Sequence, residues 1–557
     1  MSEFDESVDF IIVGSGGGSL CAALFMAAQG KSALILEKSS FVGGTTARSG
    51  GVMWIPNNSF LKRDGIEDSF EKAATYLDGL AADFIDAAGS TQVRRHAYLK
   101  EAPAMLEFLL KHGVKLDRAK YWPDYYDERP GGLKQGRSVV SYPFNMNELG
   151  EWKHKMRPGF LEMPLMLEEA LVLPYFKRSN AARRVLLKLI GRIVAAVLTG
   201  KRYVSAGKAL QAQVLQAVLR TGADIRLESP VSELLIEDGQ VKGVATTKEG
   251  RPWRVGARLG VLVGAGGFAH NQRMRDQYQP GASKVWSSAL QTDTGEMIEE
   301  MMRHGAAVAQ MDEMVGNQCV LVTESKEGEV QMGVQMVTAK PHAILVDQSG
   351  VRYMNEGGSY MAYCKGLLER DKSVAASPSW AILDSQFMKK YMLAGTMPGS
   401  KKPESWYQQG HLKKAESIEA LAGLIKVDPA TLKATVTRFN GFVEKNRDED
   451  FHRGERAYDQ WLGDPLHKPN PALGKIEQGP FYAMAVYPGD VGTYGGVVTD
   501  ENAQVLRSDG SAIKGLYATG TSTASVMGRV YPGAGSSVGP SFTWGYVAAK
   551  HAAGGQK

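Results

Sequence analysis

The sequence predicts an α/β protein with α+β elements: a Rossmann-like dinucleotide-binding domain built from both chain ends, with a second domain inserted between them. Three observations predict it. Asp9–Glu37 reads as strand, glycine turn, helix, strand and acid. Short apolar strands ending in glycines return near the C-terminus, and the stretch between is richer in Lys and Glu. At 557 residues the chain exceeds one ordinary domain. Its 43% hydrophobic content is enough for sizeable cores.

The first strand is the apolar run Phe10-Ile11-Ile12-Val13, which leads into Gly14-Ser15-Gly16-Gly17-Gly18-Ser19. A small-residue helix follows from Leu20 to Ala28, then a strand from Ala33 to Leu36 ending in Glu37. Gly14 permits the tight turn, and Gly16 lets the backbone approach a pyrophosphate held at the helix N-terminus. Glu37 lies 23 positions beyond Gly14, placed to accept hydrogen bonds from a ribose. Ser19 stands where the pattern has its third glycine, so the helix–strand packing there must admit a hydroxymethyl group.

The next elements are the small, polar loop Gly43-Gly44-Thr45-Thr46-Ala47-Arg48-Ser49-Gly50-Gly51 and helical patterns to about residue 220. A β-rich stretch opens at Ile225, with strands over 230–236, 241–246 and 260–263, the last ending in Gly264-Ala265-Gly266-Gly267. The spacing predicts a dinucleotide domain over 1–277 and 483–557, with a helical insertion over 150–205, around a second domain at 278–482.

Composition excludes several classes. A net charge of +5 is mild for this length and implies no nucleic-acid partner without clustering. Three scattered cysteines and ten histidines without ligand spacing predict no metal site. The acidic N-terminus carries no signal-peptide pattern, and no uncharged apolar run approaches the ~20 residues that span a bilayer. A cytoplasmic protein is expected.

Three glycine-rich loops favour a flavin over a nicotinamide. Gly43, Gly44, Thr45 and Thr46 follow the ribose-binding acid, where hydroxyls and bare backbone suit a pyrophosphate and the edge of a large planar ring. The segment Gly533-Ala534-Gly535-Ser536-Ser537-Val538 precedes an apolar helix from about Ser541 to His551. The N–H groups at its start would stabilise negative charge at a reduced flavin's pyrimidine end. Ser49, Gly50, Gly51, Lys38, Val231, Gly266 and Gly520 are further expected cofactor contacts. A nicotinamide enzyme would show a second glycine-rich βαβ unit with a following acid, and none is found. A redox-inert flavin-binding module is the non-enzymatic alternative.

The combination of Val13–Gly18, Glu37, Gly43–Thr46, Asn355-Glu356 and Gly515-Leu516-Tyr517-Ala518 resembles the fumarate reductase/succinate dehydrogenase flavoprotein superfamily. Within it the chain resembles the 3-ketosteroid Δ1-dehydrogenases, through Trp122-Pro123-Asp124-Tyr125, the Asn355-Glu356…Tyr360 spacing and Tyr531-Pro532-Gly533-Ala534-Gly535. The resemblance implies FAD-dependent removal of two hydrogens from C1 and C2 of a 3-ketosteroid A ring. It assigns Tyr531 and the Gly535 backbone N–H to the ketone oxygen, and Tyr360 to the C2 proton, with Tyr125 supporting that base. Tyr126 and Tyr363 are near neighbours that leave the register open. Arg48 and Ser49 occupy the loop where covalent members carry a histidine, so non-covalent FAD is expected. The electron acceptor is unidentified, a quinone being one candidate.

Two alternatives stay inside the superfamily. A 4,5-desaturase of 5α-3-ketosteroids is one, and a fumarate-reductase-like enzyme is the other. The latter would carry an arginine at position 360 and another in the C-terminal glycine segment, and neither is present.

Arg183–Arg202 departs from the compact family pattern. Val185, Leu186, Leu189, Ile190, Ile193, Val194 and Val197 recur at helical spacing beside Arg184, Lys188 and Arg192, with no acid in the segment. Two readings stand: a helix lying on the inner face of the cell membrane, or one packing its apolar stripe on its own protein.

Overall fold

The computed structural model describes residues 4–84, 87–325, 328–333 and 335–554. Its larger sheet has eight strands. Across it run Gln504–Leu506, Ala512–Ala518, Gln240–Lys248, Arg251–Val263, Glu6–Val13, Ala33–Leu36 and Asp224–Arg226, with Glu233–Glu237 beside Gln240–Lys248. The three strands Arg251–Val263, Glu6–Val13 and Ala33–Leu36 are parallel, Phe10 pairing with Gly260 on one side and Ala33 on the other. Phe10 to Val13 and Leu34 to Leu36 are buried at every position rather than at alternate ones. That continuous burial is what a parallel sheet covered on both faces requires.

Both chain ends meet here. Ala512–Ala518 joins the sheet parallel to Arg251–Val263, and the C-terminal helix Val538–Gly554 crosses the N-terminal helix Gly17–Ala28. The crossing is glycine on glycine: a Cβ on Gly545 would stand 2.0 Å from the Gly18 carbonyl oxygen. The Ser19 hydroxymethyl is admitted by the neighbouring strand end. A Cβ on Gly264 would lie 2.5 Å from Ser19 Oγ, so the side chain missing at Gly264 makes the room that Ser19 takes.

A second, six-stranded sheet is antiparallel throughout. It runs Gly328–Gly333, Met314–Ser325, Phe481–Thr493, Ser379–Leu383 and Ala343–Val346, with Leu412–Ala415 on Phe481–Thr493. That central strand extends eleven residues past the expected end at 482, to Thr493.

Two elements differ from the sequence reading. The stretch read as helical contains a three-stranded sheet, Met53–Trp54, Ser138–Ser141 and Leu116–Arg118. Strands of two to four residues are too short to display a period of two. The C-terminal helix starts at Val538 rather than about Ser541. Pro540 falls in its first turn, where no N–H is needed.

The basic segment forms the helix Asn180–Leu198, held by its Ala182, Leu189 and Ala196 face. A second apolar face is exposed: Leu187 by 68%, Val197 by 74% and Leu198 by 81%, with Ile190 and Val194 about half exposed. Among the described residues no helix is long and apolar enough to cross a membrane.

Candidate active site

A cavity of about 1130 Å³ runs between the two sheets, lined by residues from both. Drug-sized ligands fill pockets of roughly 300–1,000 Å³, so this one has room for a dinucleotide and a second molecule. Gly14 to Ser19, Glu37, Lys38, Gly44, Thr45, Thr46, Ser49, Gly50, Gly51, Val231, Gly266, Gly520, Gly535, Ser537 and Val538 all line it. Two expected contacts do not. Gly43 sits behind the wall, its N–H donating to Ser15 Oγ at 3.1 Å and its carbonyl accepting from Gln211 Nε2 at 3.2 Å. Ser536 is fully buried, its hydroxyl turned back on the Gly533 carbonyl at 2.7 Å. Both shape the loops that line the cavity.

The donor set fits FAD. The N-terminal helix has no side-chain bond from its N-cap and no acid in its first turn; its Gly17 and Gly18 N–H groups meet only the Thr46 and Ser541 hydroxyls, at 3.4 and 3.2 Å, so no charge opposes an anion at its dipole. Glu37 is anchored at the turn, accepting from the Ser15 N–H at 3.0 Å and Ser15 Oγ at 2.6 Å. Ser19 lines the cavity, and its hydroxyl is buried beside Gly264 with no hydrogen-bond partner among the described residues. The helix at Val538 likewise has no acid in its first turn. Asp293, absent from the sequence reading, also lines the cavity and takes a 3.2 Å hydrogen bond from Thr45 Oγ1. Burial pushes its carboxyl up to about 7, the Thr45 hydrogen bond and the Lys38 and Arg157 charges opposing this. A protonated carboxyl there can donate to a phosphate or hydroxyl oxygen.

At one end of the cavity three tyrosines from three distant segments converge. The Tyr360 ring lies 4.9 Å from Tyr531 and 5.4 Å from Tyr125, and Tyr125 lies 5.8 Å from Tyr531. Tyr125 and Tyr531 are tied through the backbone, the Tyr125 N–H donating to the Pro532 carbonyl at 2.8 Å. Tyr76 donates its hydroxyl to the same carbonyl at 2.7 Å. The Tyr125 segment is pinned by Asp124, which accepts from Trp54 Nε1 at 2.8 Å, Arg137 at 2.8 Å and the Leu133 N–H at 3.0 Å. Tyr360 opens the helix Tyr360–Asp371, and the loop before it is held by Asn355 and Glu356. Glu356 is buried between Arg352, with two bonds of 2.8 Å, and Arg453 at 3.2 Å. The Asn355-Glu356 motif is therefore a clamp on the loop that presents Tyr360.

Tyr531 sits at the head of the glycine turn. Its hydroxyl meets Ser537 Oγ at 2.9 Å, six residues on across the glycine turn. Gly535 has φ of +96°, and a Cβ there would stand 2.5 Å from the Val52 carbonyl oxygen, so only glycine fits. The near-neighbour tyrosines point elsewhere. Tyr363 bonds to Thr338 Oγ1 at 3.3 Å, and neither Tyr363 nor Tyr126 lines the cavity. Burial raises the hydroxyl pKa of Tyr125 and Tyr360 well above the ordinary tyrosine value, and raises that of Tyr531 too, hydrogen bonding, first from Ser537, opposing the rise.

Arg529, two residues before Tyr531, is committed to Asp312 at 2.6 Å and Glu313 at 2.7 Å and does not line the cavity. Among the described residues the tyrosine end therefore lacks the guanidinium pair a dicarboxylate would need.

The model of the FAD binding domain family matches residues 9–538. The 3-oxosteroid 1-dehydrogenase of Mycobacterium tuberculosis H37Rv is 36% identical, the match covering 98% of each chain. That of Mycolicibacterium smegmatis is 37% identical over 98% of this chain and 97% of the relative. The crystal structure of 3-ketosteroid Δ1-dehydrogenase from Sterolibacterium denitrificans, in complex with 1,4-androstadiene-3,17-dione, superposes with a TM-score of 0.93. It is 33% identical and the match covers 99% of this chain and all of that one.

Proposed function

The chain belongs to the FAD-binding family that contains the 3-oxosteroid 1-dehydrogenases, and we propose that it desaturates the 1,2 bond of 3-ketosteroids. The observation that carries this is the convergence of Tyr125, Tyr360 and Tyr531 in the cavity that the glycine loops line. FAD, when bound, supplies the two-electron acceptor for the hydrogen leaving C1. The protein's own groups do the rest. A carbon-bound proton is too weakly acidic to leave unless negative charge can move onto the 3-keto oxygen. Tyr531 and the Gly535 N–H, side by side at one turn, offer two donors to that oxygen. The Tyr360 oxygen takes the C2 proton, and Tyr125 stands against it to stabilise its charged form.

Anaerobic mixing with a panel of 3-ketosteroids tests this. Bleaching of bound flavin, with a product two mass units lighter and a 1,2 double bond, is the expected result. No bleaching by any 3-ketosteroid would overturn it, and a 4,5 double bond would select the 4-dehydrogenase alternative.

FAD is held without a covalent bond in this reading, since the cavity-lining loop carries Arg48 and Ser49 and no histidine. Acid precipitation should leave yellow FAD in the supernatant. Flavin retained by the pellet would contradict it.

The helix Asn180–Leu198 docks on a membrane surface in this reading, its exposed Leu187, Val197 and Leu198 face entering lipid. A quinone dissolved in that lipid would suit as electron acceptor. Arg192 is a poor residue to test, because it bonds Glu169 at 2.6 and 3.1 Å and holds the helix to its neighbour. Arg184 and Lys188 are exposed. Co-sedimentation with anionic vesicles should fall several-fold in the Arg184→Glu, Lys188→Glu double variant. Equal partitioning of both proteins would leave only the packed-helix reading.

A further inference from the structure

A second cavity, of about 470 Å³, lies where the helix Asn180–Leu198 ends. Ile193, Ala196 and Val197, one face of the closing turns, line it with Met146 and Met163. Its charged lining is Lys153, His154, Glu162, Lys201, Arg202 and Lys208. Glu162 is held by Lys208 at 2.5 Å. Lys153, Lys201 and Arg202 make no ion pair among the described residues. The backbone fixes this grouping. Tyr203–Val204 pairs with Phe144–Asn145, the Met146 N–H donates to the Arg202 carbonyl at 2.7 Å, and the Arg202 N–H donates to Asn145 Oδ1 at 3.1 Å. The last helical carbonyls, which would repel an anion, are occupied. Ala195, Val197 and Ala196 accept from the Thr199, Gly200 and Lys201 N–H groups at 3.0, 3.1 and 2.8 Å.

We propose that this cavity binds the phosphate headgroup of an anionic phospholipid, whose acyl chains run along the exposed Val194, Val197 and Leu198. This rests on the membrane reading of the helix given above. Arg202 offers a phosphate a planar pair of donors, and the lysines offer compact charges on flexible stems. Long basic side chains at the edge of an apolar face hold their charge at headgroup depth while their stems stay in apolar contact. A free phosphate would use the cations and leave the apolar wall without a partner. A zwitterionic lipid would bring its own cation against three others. Arg184 and Lys188 do not line the cavity, and Lys188 stands about 15 Å along the axis from Leu198. They add to the attraction of the whole surface and not to this site.

The test titrates holoenzyme calorimetrically with dihexanoyl phosphatidylglycerol below its micelle concentration. One lipid should bind per chain. The Lys201→Gln, Arg202→Gln double variant, changed at two exposed positions, should bind it on the order of tenfold more weakly. Its FAD content and its flavin reduction by steroid should be unchanged. The Arg184→Glu, Lys188→Glu variant should keep the wild-type affinity for this soluble lipid. No saturable binding, no loss in the Lys201, Arg202 variant, or equal loss in both variants overturns the site. Inorganic phosphate binding as tightly makes the ligand a free phosphate, and dihexanoyl phosphatidylcholine binding as tightly removes the choice of an anionic lipid; either overturns the proposal. If wild type binds the soluble lipid but does not sediment with phosphatidylglycerol vesicles, the membrane reading beneath falls instead. Should the double variant lose FAD, Lys153→Gln carries the same test from the opposite segment.

Discussion

Tyr360→Phe is expected to suppress both flavin reduction and exchange of the C2 proton with solvent, while FAD content stays unchanged. Both processes need the base, and phenylalanine keeps the ring contacts with Tyr531 and Tyr125 while removing only the hydroxyl. Tyr531→Phe should slow the same two processes through a different cause. It removes one of two donors at the ketone oxygen, and losing one such donor typically costs ~10²–10³ in rate, about 2.7–4 kcal/mol. Steroid binding should also loosen in Tyr531→Phe and hold in Tyr360→Phe, which separates the two roles. Stopped-flow absorbance of the flavin and deuterium incorporation at C2 are the readouts. Near-normal reduction in Tyr360→Phe with loss in Tyr363→Phe would place the base one helical turn further on. No effect at either Tyr360 or Tyr531 would remove the tyrosine mechanism altogether.

Arg137→Ala is the change with the largest expected effect on stability. Arg137 is fully buried, bonding Asp68 at 2.7 and 2.9 Å and Asp124 at 2.8 Å, both carboxylates also buried. Removing it leaves two uncompensated buried acids, and breaking a buried pair in this way costs about 3–5 kcal/mol. The urea midpoint should fall accordingly. The loss should depend on pH in a definite direction. Burial already raises the Asp124 carboxyl above its ordinary value, with the Arg137 charge opposing that rise. Without the guanidinium the folded-state value climbs further above the unfolded one. The folded variant then binds protons more readily than the unfolded chain, so its stability recovers as pH falls and is lost as pH rises through the raised value. The gap from wild type should therefore narrow between pH 7.5 and 5. A gap independent of pH would mean that the carboxylates find other partners. Activity should fall too, because Asp124 fixes the backbone that carries Tyr125.

The opening βαβ unit was legible because its signals are local. Four consecutive apolar residues, a glycine turn and an acid 23 positions on lie within one stretch, and the folded chain keeps each in its expected place. Tyr360 and Tyr531 were reachable because each stands at a fixed spacing within a motif, and both line the cavity. The three-stranded sheet around Trp54 was not, since its strands are too short for any period to emerge.

Other outcomes depend on contacts between residues hundreds of positions apart, which no local pattern encodes. Ser19 at a glycine position is accommodated only because Gly264 stands opposite it. Which of Tyr125 and Tyr126, and which of Tyr360 and Tyr363, lines the cavity follows from how the loop and helix that carry them pack. Asp293 enters the account solely through what packs against it. The sequence by itself determined the dinucleotide-binding architecture, the flavin and the family, because backbone chemistry and short-range spacing specify these. The tertiary structure alone decided which tyrosines meet, what holds them, and which polar groups share their burial, because removal from water is a property of the whole packed chain.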